Sequence, residues 1–184
     1  MKIAILGAQG VGKTTLAQAL VDHTSTYSFS FTLLPEAARL AIEAGFHLDE
    51  RATIETELWI ILKQLELERA EGYWVADRCA IDLLAYITYL FPNQSSLIDL
   101  ANKVLEPNFS KYDLIIYLPP KQFPIENDGV RNGDEEFQLA IDREIMKVLN
   151  YYRLPFVEIV GTPEERLKKV LGRIKIILQD AVHS

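Results

Sequence analysis

The chain has 184 residues, a formal net charge of −7, 49% hydrophobic residues and a single cysteine, Cys79. That length suits one domain with a sizeable core, and the acidic balance excludes a general nucleic-acid binder, which needs a basic face. One cysteine excludes an internal disulfide framework and a multi-cysteine metal site, and no apolar run approaches the ~20 residues that span a membrane.

The apolar run Ile3-Ala4-Ile5-Leu6 has the length of a buried parallel strand. It leads into Gly7-Ala8-Gln9-Gly10-Val11-Gly12-Lys13-Thr14, which matches the phosphate-binding P-loop in the spacing of its glycines, lysine and hydroxyl. Consecutive backbone N–H groups can wrap a phosphate chain only where no Cβ blocks the approach, hence the three glycines. The helix predicted to follow, with Leu16, Ala19 and Leu20 at helical spacing, adds orphan N–H groups and a positive dipole end. Gly10, Val11, Gly12, Lys13, Thr14 and Thr15 are therefore the expected nucleotide-binding residues. Lys13 is expected to reach the β- and γ-phosphates of ATP, and the Thr14 hydroxyl to ligate Mg²⁺. Because the first strand carries this loop, the N-terminus is not expected to double as a removable signal segment. The expected location is cytoplasmic.

Beyond the loop, strand-like and helix-like segments alternate. Residues 28–34 read as a second strand ended by Pro35, and 36–44 as a short helix closed by Gly45. Residues 55–70 are helical, with Leu58, Ile61, Leu62 and Leu65 on one face, and 73–76 form a third strand leading into Asp77-Arg78. Helices are predicted over 80–90 and 95–105, a fourth strand over 114–118, a helix over 134–152 and a fifth strand over 155–160. Thr162, Pro163 and Glu165 form a capping box before the last helix, whose Leu167, Val170, Leu171, Ile174, Ile177 and Leu178 are core positions. Five strands alternating with helices predict an α/β fold: a P-loop three-layer α/β/α sandwich on a five-stranded parallel sheet. Residues 1–184 are expected to form a single domain, with a polar, turn-rich lid at about 119–133.

Ligands of such sheets bind beyond the carboxyl ends of the strands. Glu36 follows the second strand, expected beside the P-loop strand, with Arg39 one turn later; Asp77-Arg78 follows the third. This set suits phosphoryl transfer to a small hydroxyl compound: Glu36 takes the hydroxyl proton, and Asp77 orders Mg²⁺ or its waters. Arg78 and Arg39 hold the acceptor or the developing charge. The competing readings are a first-turn carboxylate that favours its helix dipole for Glu36, and an N-cap with a surface arginine for Asp77-Arg78. Cys79 is read as a packed residue, because nothing nearby suggests a thiolate pair. Tyr86, Tyr89 and Phe91 can stack on a base, with core packing the expected role of at least two. In the lid, Arg131 is the candidate internal arginine finger, with Arg143 on the next helix as the alternative and a solvated loop as the competing reading.

The segments GAQGVGKTTL, PEAARLAIEAG, ADRCAIDLLAY, YDLIIYLPP, DGVRNGDEEFQLAID and TPEERL resemble the AAA-type ATPase-like P-loop family that includes the nicotinamide riboside kinase domain of NadR. The resemblance runs from Lys2 to about Leu171, and PEAAR, DR-x₃-D-x₂-AY and DGVR in this order are far more specific than the P-loop alone. It implies a small nucleoside- or nucleotide-kinase-like protein with Glu36, Arg39, Asp77, Arg78 and Arg131 at its active site. The expected catalytic set is thus Lys13, Glu36, Asp77, Arg78 and Arg131, with Glu36, Arg39, Asp77 and Arg78 on the acceptor, and Thr14 and Asp77 on the metal. The expected activity is transfer of the ATP γ-phosphoryl group to a hydroxyl of a nucleoside-like acceptor, nicotinamide riboside being the first candidate. Expected partners are the nucleotide and a small-molecule acceptor, with no nucleic acid and no membrane, and with a homodimer among the allowed assemblies. The alternative is a nucleotide-binding regulatory ATPase or GTPase. No Asn-Lys-x-Asp guanine segment is present, and Asp77 is followed by arginine rather than the second acid of an AAA-type motor.

Overall fold

The computed structural model describes residues 1–25, 27, 29–48, 52–120 and 135–182. Five strands, β1 (Lys2–Leu6), β2 (Thr32–Leu34), β3 (Trp74–Asp77), β4 (Leu114–Tyr117) and β5 (Val157–Glu158), form one sheet in the order β2-β3-β1-β4-β5. Every pairing is parallel, with Ile5 opposite Asp77 and Leu6 opposite Tyr117 at the carboxyl edge. The second strand therefore does not lie beside the P-loop strand, as expected from sequence; β3 separates them. β3 is buried along its length and lies inside the sheet, whereas β2 is short and takes the edge, where an exposed Thr32 and a half-buried Leu33 are tolerated.

Seven helices are described: α1 (Lys13–Thr24), α2 (Ala37–Glu43), α3 (Ile54–Leu67), α4 (Ala80–Leu90), α5 (Ser95–Phe109), α6 (Glu135–Tyr151) and α7 (Pro163–Val182). The side-chain alternation of the strands sorts them into layers. Ile3, Ile5, Val75, Leu114 and Ile116 pack with Leu16, Leu20, Val170 and Ile174 of α1 and α7. Ala4, Leu6, Trp74, Ala76, Ile115 and Tyr117 face the opposite way and pack with α2 to α6. The result is the expected three-layer sandwich. The second and fifth strands are shorter than predicted: the residues paired in the sheet are Thr32–Leu34 and Val157–Glu158, with Ile159 N–H adding a bond to Tyr117 O at 3.0 Å. The capping box is present, with Thr162 N–H on Glu165 Oε2 at 2.9 Å and Glu165 N–H on Thr162 Oγ1 at 3.3 Å. Among the described residues, no helix is long and apolar enough to cross a membrane. Arg131 and residues 121–133 of the expected lid lie outside the described residues.

The turn from β1 into α1 is tightly built. Gly7 has φ 145°, and a Cβ there would stand 2.6 Å from the Leu118 carbonyl oxygen and 2.8 Å from a Val11 methyl. Leu118 directly follows β4 and its N–H is bonded to the Leu6 carbonyl at 2.9 Å, so this backbone oxygen cannot easily move aside. Gly7→Ala is expected to destabilise the fold by about 2 kcal/mol or more. Denaturant unfolding measures this, and an unchanged midpoint would mean that the loop reshapes freely.

Candidate active site

The P-loop crosses the carboxyl edge of β1 and feeds α1 through Gly12, the N-cap, which is left-handed at φ 88°. No acidic residue occupies the first turn of α1, so its positive end is available to an anion. Gly10 is exposed at the crown of the loop, as are Thr14 and Thr15 at the start of the helix, while Val11 is buried. The Lys13 side chain is buried, and its Nζ donates to the Ala8 carbonyl at 2.6 Å, folded back across the loop.

The loop is propped from both sides by residues that the sequence analysis did not assign to the site. Arg166 of α7 is 2% exposed; its Nη1 donates to Val11 O at 2.6 Å and its Nε to Gly161 O at 2.9 Å. Asp82 of α4 is wholly buried and accepts from Gly7 N at 3.3 Å and from Cys79 N at 3.0 Å. Burial raises its pKa, against the opposing charges of Arg78 and Lys13 and those two N–H groups. One carboxylate thus ties the P-loop to the start of α4. The DR-x₃-D spacing, which places Asp82 one turn after Arg78, was the available signal.

Asp77 is the last residue of β3 rather than the first beyond it, and its Oδ2 meets the Thr14 hydroxyl directly. Its Oδ1 is buried with no hydrogen-bond partner. A P-loop hydroxyl joined to a carboxylate with one unused oxygen is a set of hard oxygen donors, and it fits Mg²⁺. Arg78 follows in a left-handed conformation, φ 82°, which turns its side chain across the edge of the sheet. Gln64 holds this turn from behind: its Nε2 donates to the Arg78 carbonyl at 3.3 Å and to Glu68 at 2.9 Å.

The Arg78 guanidinium is buried. Its Nε donates to Glu36 Oε1 at 2.7 Å, and its Cζ lies over the Tyr86 ring, 4.6 Å from the ring centre. Burial opposes its charge, but Tyr86, Asp82 and Asp77 more than offset this, so its pKa is raised. Glu36, the N-cap of α2, makes no cap hydrogen bond with its side chain; the carboxylate turns to the arginines instead. Arg39, half exposed, approaches Glu36 Oε2 at 3.4 Å. Glu36, Arg39 and Arg78 are therefore joined by ion pairs, while Asp77, next to Arg78 in the chain, is joined to Thr14. The simple surface-arginine reading fails for Arg78. Arg143 is exposed on α6, and its nearest electrostatic influence is on Asp142.

Of the three aromatics, Tyr89 and Phe91 pack against the core, Tyr89 with Phe137 at 5.2 Å between ring centres. Tyr86 also packs there but belongs to the site, since its hydroxyl donates to Gln9 Oε1 at 3.3 Å. Cys79 is buried with its thiol pKa raised by burial, which keeps it neutral and matches a packed role.

Glu57 of α3 was not anticipated. It is 5% exposed, and burial pushes its pKa up to about 7, with the Arg78 charge acting in the opposite direction. The folded state therefore keeps a proton that the unfolded chain releases from pH 4.5 upward. Stability falls as the pH rises from about 4.5 to about 7 and is flat beyond, a loss of about 2–4 kcal/mol. Glu57→Gln is expected to remove this slope and to be the more stable protein at pH 8. Denaturant titrations at pH 5 and pH 8 measure it; an unaltered slope would assign the effect elsewhere.

Residues 2–166 match the model of a family described as AAA domain. No curated protein matches the chain. Deoxyadenosine kinase from M. mycoides with bound dATP superposes with a TM-score of 0.69 at 15% identity, over 95% of this chain and 100% of that one. NadR protein in complex with NR superposes with a TM-score of 0.71 at 22% identity, over 87% of this chain and 45% of that one. A second NadR structure, with NAD and AMP-PNP, gives 0.69 at 22% identity. The chain thus spans less than half the length of NadR. At these identities the likeness establishes the fold, a P-loop α/β sandwich of nucleoside-kinase type.

Proposed function

The chain belongs to this AAA domain family, and on that premise we propose that it is a P-loop kinase moving the γ-phosphoryl group of ATP to a hydroxyl of a nucleoside-like acceptor. The observation that carries the reading is the joined cluster at the carboxyl edge of β2, β3 and β1: Thr14 on Asp77, and Glu36 on Arg78 at 2.7 Å. Structures named as deoxyadenosine kinase and as NadR with NR share the fold and support the class of acceptor.

In this reading the P-loop N–H groups and Lys13 hold the phosphate chain, and Lys13 leaves the Ala8 carbonyl to do so. Thr14 and Asp77 would hold Mg²⁺, which would supply positive charge against that of the phosphates. Glu36 accepts the proton of the attacking hydroxyl. Arg78 orients Glu36 through its Nε, and Arg39, at the exposed side of the same carboxylate, faces the acceptor. Arg131 is proposed as the residue that completes the charge around the transferring group. The protein would act on small molecules in the cytoplasm, with no nucleic acid or membrane partner.

A coupled ADP assay over a panel of nucleosides tests the proposal. ADP release should rise strongly with one acceptor class, nicotinamide riboside being the first to try. Release that no nucleoside or small alcohol stimulates would replace the kinase reading by that of a regulatory nucleotide-binding protein.

A further inference from the structure

The P-loop pattern prescribes its glycines, lysine and hydroxyl but leaves the position after Ala8 open, and Gln9 occupies it. A glutamine in a glycine-rich turn ordinarily holds its amide in water. Gln9 is instead 3% exposed and held by two helices. Its main-chain carbonyl accepts from Gln138 Nε2 of α6 at 2.7 Å, and its side-chain Oε1 accepts from the Tyr86 hydroxyl of α4 at 3.3 Å. With the oxygen engaged, the two N–H donors of the amide are turned the other way, and among the described residues the buried Nε2 has no hydrogen-bond partner. Buried polar groups are paired in about nine cases in ten, so a donor fixed in this way calls for a ligand.

Its surroundings say which. One residue back along the chain, the Ala8 carbonyl accepts from Lys13 Nζ at 2.6 Å. On the other side, the ring of Tyr86 carries the Arg78 guanidinium, Cζ 4.6 Å from the ring centre, and Arg78 Nε holds Glu36 at 2.7 Å. Gln9 therefore links the lysine of the nucleotide site to the arginine–carboxylate pair of the acceptor site. The outer Nη2 of Arg78 is a second buried donor without a hydrogen bond among the described residues. Two orphan donors beside a lysine are complementary to an anionic oxygen. In a phosphoryl transfer, the anion that lies between nucleotide and acceptor is the γ-phosphoryl group.

We propose that Gln9 Nε2 donates to a γ-phosphoryl oxygen of bound ATP, and that Tyr86 is the positioning residue that aims the amide. The inference rests on the P-loop being the ATP site and deepens that reading. The contact tells a triphosphate from a diphosphate, because ADP carries no oxygen that reaches it. Tyr86 meets Gln9 with its hydroxyl and Arg78 with its ring, so one side chain sets a donor on the nucleotide side and an ion pair on the acceptor side.

Calorimetry in the presence of Mg²⁺ compares AMP-PNP with ADP in wild type, Gln9→Met and Tyr86→Phe. Methionine keeps the length of the side chain and removes its donors; phenylalanine keeps the ring on Arg78 and removes the hydroxyl alone. Gln9→Met should lose about 10-fold or more in AMP-PNP affinity, as expected for a hydrogen bond to a charged oxygen, with ADP affinity within about 2-fold of wild type. Tyr86→Phe should lose a smaller part of the same AMP-PNP-to-ADP ratio, and should add nothing to Gln9→Met in the double variant. A purely structural role would weaken both nucleotides alike. That outcome, or an unchanged ratio in Gln9→Met, would overturn the contact; where Gln9→Met does not fold, an unchanged ratio in Tyr86→Phe does so. A lowered ratio in a protein that phosphorylates no nucleoside sustains the contact and sinks the kinase, and nucleoside phosphorylation with an unchanged ratio does the reverse.

Discussion

Lys13→Ala abolishes turnover, lowering kcat by about 10³-fold or more, while the protein still folds. One uncharged donor at a developing oxyanion is worth about 10²–10³-fold, and a full charge between two phosphates exceeds that. The lysine is held within the loop, its Nζ donating to the Ala8 carbonyl at 2.6 Å, and its charge also acts on the buried Asp82 of α4. Ala8 and Lys13 are both buried, so losing that bond costs about 1–3 kcal/mol and lowers the unfolding midpoint without abolishing the fold. Calorimetry separates binding from chemistry, since ATP affinity should fall less than kcat. A mutant that keeps both affinity and turnover would mean that the loop does not bind phosphate as its spacing requires.

Glu36→Gln should lower kcat by about 10²–10⁴-fold if the carboxylate removes the acceptor's proton. The geometry adds a second consequence. Glu36 and Arg78 form an ion pair in which both side chains are about 5% exposed. Breaking one half of such a pair leaves an uncompensated buried charge, with costs reaching about 3–5 kcal/mol when the partner is deleted outright. Glutamine retains an oxygen for Arg78 Nε, so the stability loss should be smaller than for Glu36→Ala, and the comparison separates the two roles. A kcat defect in Glu36→Gln far larger than its stability defect marks a base. Loss of only a few-fold in kcat, with KM for the acceptor raised, marks a positioning carboxylate, which the loose transition state of phosphoryl transfer permits.

What could be read from the sequence is what is encoded locally. The P-loop, the capping box and Asp77-Arg78 each sit within a few consecutive residues, and the structure puts the first two where expected and the third at the end of β3. Strand order is a matter of long-range pairing, and no local pattern distinguishes β2 beside β1 from β2 beyond β3. Asp82, Glu57 and Arg166 look like ordinary polar helix positions; only the packing of α3, α4 and α7 into the fold buries them. Gln9 occupies a position that the P-loop spacing leaves open, so its contacts with Tyr86 and Gln138 were invisible until α4 and α6 were placed. The left-handed Arg78 is the least readable feature, because a non-glycine residue there persists only where surrounding contacts such as Gln64 impose it.

The central claim is that a hydroxyl, rather than water, receives the phosphoryl group. It is tested most directly by following γ-labelled ATP with the protein and nicotinamide riboside, and reading by mass spectrometry where the label goes. The account predicts label on the nucleoside, one phosphoryl group per ADP formed, and its disappearance in Lys13→Ala. Label found solely in inorganic phosphate, at a rate that nucleosides do not change, would contradict it.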